Sequence, residues 1–66
     1  MAIIKVIEVM ANSPEGWEDA AKKAVKHAGK TVKNIRSVYI KDQTAVVNND
    51  EITEYRVTVK ISFEIS

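Results

Sequence analysis

The chain has 66 residues, ten of them Lys or Arg and nine Asp or Glu, with a formal net charge of +1 and no cysteine. A near-neutral chain gives no electrostatic reason to expect nucleic acid or an anionic membrane as a partner, and without cysteine neither a disulfide nor thiolate zinc can brace the fold. A domain of this length buries only about 60% of its unfolded surface, so stability alone favours association of copies.

Residues 3–10 (IIKVIEVM) are β-branched and almost continuously apolar, interrupted by Lys5 and Glu8. Such a run predicts a strand with apolar neighbours on both faces. No run approaches the roughly 18 apolar residues of a membrane span, and the start lacks the basic-then-apolar pattern of a signal peptide, so the expected location is cytoplasmic.

Residues 11–16 (ANSPEG) punctuate the chain. Ser13 suits an N-cap and Pro14 a first helical position, which predicts a helix starting at Pro14 and running toward Ile35. Glu15, Glu18 and Asp19 lie in its first turns, where the helix dipole favours negative charge, and Lys30 and Lys33 lie near its other end. At 100° per residue Trp17, Ala20, Ala21, Ala24, Val25, Ala28, Thr31, Val32 and Ile35 gather on one side, opposite a stripe of lysines. Alanine permits close approach to a sheet but adds little apolar area, so Trp17 reads as a core plug or interface anchor, with an aromatic ligand platform as the alternative. The lysine stripe reads as a solvated face. His27 has no second His or Cys with which to share a metal.

Residues 35–47 (IRSVYIKDQTAVV) predict a second strand, bulged near Asp42 and Gln43 where the alternation falters. Asn48, Asn49 and Asp50 then form a polar turn of residues that tolerate φ > 0, joining this strand to the C-terminal one as a hairpin. Residues 52–65 alternate strictly, with Thr53, Tyr55, Val57, Val59, Ile61, Phe63 and Ile65 on one side and Glu54, Arg56, Thr58, Lys60, Ser62 and Glu64 on the other. This is the strand around which the rest is organised. The predicted fold is α+β, a single domain over residues 1–66 of β-α-β-β order. One helix covers one sheet face, so apolar residues on both sides of the first two strands predict an obligate oligomer.

Asn48, Asn49, Asp50, Glu51 and Glu54 place hard oxygen donors within one short stretch, the ligand type that calcium prefers. The spacing is not that of an EF-hand loop, and Asn and Asp in a hairpin turn are also what turn chemistry alone asks for. In a symmetric assembly one carboxylate near an axis becomes two or three, so Asp50, Glu51 and Glu54 are the candidate metal ligands.

KVIEV near the N-terminus, SPEGWEDAAKKAV at the helix start, KTVKNIRSV at its exit and ITEYRVTVKISFEI at the end resemble the dodecins over essentially the whole chain. The resemblance implies a hollow homododecamer whose helix packs on a strongly curved three-stranded antiparallel sheet. It also implies flavin storage or sequestration, with pairs of isoalloxazine rings stacked between tryptophans near symmetry axes and a glutamine on the last strand bonding the ring edge. Here the tryptophan position falls at Ser37 and the glutamine at Arg56. Serine has no π face, and the stacking it forgoes is worth about 1 to 3 kcal/mol per base in the comparable nucleic-acid case. Arg56 can stack or pair with a phosphate instead. Some dodecin-like chains that lack the tryptophan are associated with calcium instead, and this sequence looks more like that branch.

No nucleophile and base pair, Gly-rich phosphate loop or metal-hydrolase motif stands in the sequence. The expected class is a non-enzymatic ligand-binding or storage homo-oligomer. Calcium or another divalent cation is set ahead of flavin (FMN or riboflavin), with a purely structural or partner-binding shell as the third reading.

Overall fold

The computed structural model describes residues 3–65. Strand β1 (Ile4–Ser13) leads to helix α1 (Trp17–Ala28), then to strands β2 (Ile35–Asn48) and β3 (Glu51–Glu64). The strands form one open antiparallel sheet in the order β1-β3-β2, so the strictly alternating strand lies at its centre. This is the α+β, β-α-β-β architecture that the alternation and punctuation of the sequence predict.

The register explains the core. Opposite Val57, Val59 and Ile61 of β3 stand Ala11, Val9 and Ile7 of β1, and Gln43, Ile40 and Val38 of β2. Val57, Val59 and Ile61 are wholly buried beneath Ala20, Ala21, Ala24 and Ala28 of α1. Methyl side chains let the helix lie close to the sheet, as packing of a small-residue stripe requires. The helix rests mainly on β1 and β3 and barely reaches β2. Val38 and Ile40 therefore face the helix side yet stay 40% exposed.

The helix is shorter than expected at both ends. Ser13 is not its N-cap and Pro14 is not helical, because β1 continues pairing as far as Ser13 opposite Tyr55. The cap is Gly16 at φ +155 and ψ 169, a conformation closed to residues with a side chain, and the first helical bond runs from the Ala20 N–H to the Gly16 carbonyl at 3.1 Å. At the other end the Lys30 and Thr31 N–H groups bond three residues back, tightening the last turn. Asn34 then takes φ 61 and turns the chain into β2. Thr31, Val32 and Ile35 consequently lie outside the helix, though Val32 and Ile35 still pack on the core.

The bulge anticipated near Asp42 is real and falls between Ile40 and Asp42, with further register shifts between Ile35 and Ser37 and between Val46 and Val47. Asn49 at φ 52 and Asp50 at φ 63 form the two-residue turn between β2 and β3. Both central residues have positive φ, as a turn matching the right-handed strand twist requires.

Candidate functional site

The face of the sheet away from α1 carries the polar side of β3 and is built in cross-strand rows. One row joins Val6, Ser62 and Ser37, and the row three pairs along β3 joins Asn12, Arg56 and Thr44. The Ser37 and Ser62 hydroxyls hydrogen-bond to each other. Arg56 donates its Nε to Asn12 Oδ1 at 3.0 Å, which fixes its stem and leaves the terminal guanidinium nitrogens for another acceptor. Between these rows stand Tyr39 and Met10, 64% and 62% exposed.

Ser37 and Arg56 thus share a face, in separate rows. Ser62, the register partner of Ser37, precedes no turn that would fold it back on Arg56, and six residues of strand separate the two by about 20 Å.

The carboxylates at the hairpin tip are arranged differently. Asp50 is a turn residue, Glu51 opens β3 opposite Asn48, and Glu54 pairs with Val46 beyond a shift in register. Asp50 and Glu51 are exposed and Glu54 is half-buried. Among the described residues no three His, Cys, Asp or Glu side chains converge as metal ligands. One copy therefore offers separate oxygen donors rather than a finished cation cage, and a calcium ion, which takes six to eight oxygens, would draw the others from water or a second copy.

Two features escape a sequence reading. An open groove of about 570 Å³ lies between α1 and β2, floored by Ala21, Val25, Val38 and Ile40 and rimmed by Lys22 and Lys26. Its signal was present in the alternation of β2, but that the helix would stop short of β2 was not. The second is a clasp at the start of α1. Trp17 donates its indole N–H to the Thr44 carbonyl at 2.8 Å and meets the Tyr55 ring edge-to-face at a centroid distance of 4.9 Å. Trp17 is half-buried and packs against the core, so it both covers the core and brackets the helix to the hairpin. No helix among the described residues is long and apolar enough to cross a membrane.

An open three-stranded sheet under one short helix, with its polar groups spread over exposed faces, defines a small α+β domain of β-α-β-β order. The Dodecin family model matches residues 3–66, and the chain belongs to that family. It is 34% identical over 65 residues to the calcium dodecin of Mycobacterium tuberculosis, covering 98% of this chain and 92% of the relative. The crystal structure of that calcium-chelating antigen, described as having a novel calcium-binding site, superposes with a TM-score of 0.83 at 33% identity, covering 97% of this chain and 91% of the other. The dodecin of Streptomyces davaonensis shares the fold at a TM-score of 0.92 and 23% identity, over 98% of this chain and 96% of that one.

Proposed function

We propose that the chain acts as a non-enzymatic homo-oligomer, twelve copies by family resemblance, that binds a divalent cation, calcium foremost, where copies meet. The observation that carries this reading is the 34% identity with a calcium dodecin across nearly the whole chain. The surface agrees with it. Ile4, Val6, Met10, Val38, Tyr39, Ile40, Val47 and Ile52 are all at least 40% exposed in one copy, apolar surface that a second copy would cover. Asp50, Glu51 and Glu54 are the candidate ligands, with oxygen donors and no soft atoms to favour a transition metal. Equilibrium dialysis of chelator-treated protein against calcium tests this. Saturable uptake in simple ratio to the copies of the assembly is expected, and an intact oligomer that takes up no calcium at millimolar concentration overturns it.

Flavin is the second reading, favoured by Tyr39, an exposed aromatic side chain on the same sheet face as Ser37 and Arg56. With hydroxyls at the Ser37 row, native protein is expected to be colourless and to quench riboflavin fluorescence weakly. Ser37→Trp with Arg56→Gln should strengthen the quenching. Sub-micromolar flavin binding by the unmodified protein would transfer the stacking role to Tyr39 or Trp17 and displace the cation reading.

A further inference from the structure

The exposed side of α1 carries a shallow depression of about 260 Å³ lined by Lys23, Lys26, His27 and Lys30. Lys23, Lys26 and His27 stand at i, i+3 and i+4, the spacing that sets side chains along one helix face, and Lys30 joins them from the tightened turn that follows Ala28. The helical three span about 6 Å of the axis at 1.5 Å per residue, and Lys30 lengthens the row beyond the helix end.

One turn earlier the charges are matched. Lys22 pairs with Glu18 at 3.6 Å and Lys23 with Asp19 at 3.2 Å. Toward the C-terminal end the matching stops, because Lys26, His27 and Lys30 form no ion pair among the described residues. Lys26 instead has Lys22 four residues before it on the helix, and like charges at that spacing oppose a helix, with Lys30 following just past the helix end. The negative end of the helix dipole accounts for a cation in the last turn, Lys26. It does not account for the lysines continuing as one row from Lys23 to Lys30. The chain is nearly neutral as a whole, so this row is a local excess.

We infer that this row binds a linear oligophosphate, three or more linked phosphates laid along the helix axis. The backbone decides against a single anion. The N–H groups of Gly29, Lys30 and Thr31 are already bonded to helix carbonyls, so only side chains can donate, and the carbonyl end of the helix repels a lone anion. A chain of phosphates reaches several ammonium groups at once and gains from each. Its attraction is between exposed charges and is screened by salt.

The test is calorimetric titration of the full-length protein, in its native assembly and at low ionic strength, with sodium tripolyphosphate, orthophosphate and a nucleoside triphosphate. Tripolyphosphate is expected to bind saturably, far more tightly than orthophosphate, and to weaken as salt is added. The nucleoside triphosphate separates the free oligophosphate from its esters, and comparable affinity for both assigns recognition to the phosphates. Lys26→Gln with Lys30→Gln should weaken binding about tenfold, two exposed pairs being lost. Lys5→Gln with Lys41→Gln removes the same charge elsewhere and should leave binding nearly unchanged. The inference is overturned by no saturable binding of tripolyphosphate, by equal affinity for orthophosphate, or by equal weakening in both double variants. Calcium uptake by the hairpin carboxylates is read separately, so either proposal can fail without the other.

Discussion

Ser13, the last residue of β1, donates its hydroxyl to the Asp19 carboxylate in the first turn of α1 at 2.5 Å and accepts the Glu15 N–H at 3.0 Å. Ser13 is wholly buried, so the pair joins sheet to helix across the loop between them. The Ser13 hydroxyl, followed by Lys23, holds the Asp19 carboxyl below its ordinary value. A depressed folded value means that the stabilisation is complete above the unfolded value of about 3.9 and is lost as pH falls through the folded one. Acid unfolding followed by circular dichroism should therefore steepen below about pH 4, and Asp19→Asn should flatten that limb. Ser13→Ala, which strands the Glu15 N–H, is expected to cost about 1 to 3 kcal/mol in urea. Identical acid limbs for native protein and Asp19→Asn would deny Asp19 this role.

Trp17 holds the helix start to the hairpin by one hydrogen bond and one ring contact, and the two can be separated. Trp17→Phe keeps a ring beside Tyr55 and loses the bond to the Thr44 carbonyl, an expected loss of about 1 kcal/mol. Trp17→Ala loses both and should cost about 2 to 4 kcal/mol, somewhat under the range for a fully buried aromatic. Denaturant midpoints at fixed protein concentration give both numbers. A Trp17→Ala loss below about 0.5 kcal/mol would place the ring on an idle surface.

Apolar rows on the exposed sheet face make a specific demand on assembly. Light scattering is expected to report a particle many times the 7.4 kDa chain mass. Met10→Glu, at a position 62% exposed in one copy, should reduce that mass while far-UV dichroism still shows helix and sheet. A folded native protein that scatters as a single chain defeats the oligomeric reading outright.

Calcium should raise the melting temperature of the assembly, because a ligand bound only by the native state stabilises it by about 2.7 kcal/mol at a hundredfold excess over its dissociation constant. Magnesium should do less, since it gives up its water reluctantly and demands a tighter octahedron. Asp50→Asn, Glu51→Gln and Glu54→Gln combined should abolish the calcium shift. A shift that survives all three moves the site to other oxygen donors.

Much of the fold is legible along the chain, because it is set by local rules. The alternation of residues 52–65 predicts which side of β3 is buried, and Val57, Val59 and Ile61 are indeed wholly enclosed. The preference of Asn and Asp for positive φ places the turn at Asn49 and Asp50. The strand-helix-strand-strand order comes from the change of hydrophobic period.

Tertiary contact decided the rest. The Ser13-Pro14 pair reads as a helix start, yet ten cross-strand pairs with β3 hold β1 extended as far as Ser13, and Gly16 becomes the cap. The continuing apolar stripe reads as a helix to Ile35, yet the tightened turn after Ala28 and the positive φ of Asn34 return the chain to the sheet. Residue type could nominate Ser37, Arg56, Asp50, Glu51 and Glu54, but distance is a property of the folded sheet. Strand geometry keeps Ser37 and Arg56 about 20 Å apart on one face, and the hairpin spreads its carboxylates rather than gathering them. An extended strand carries neighbours in sequence steadily away from one another, so residue type along it does not reveal which of its residues share a site.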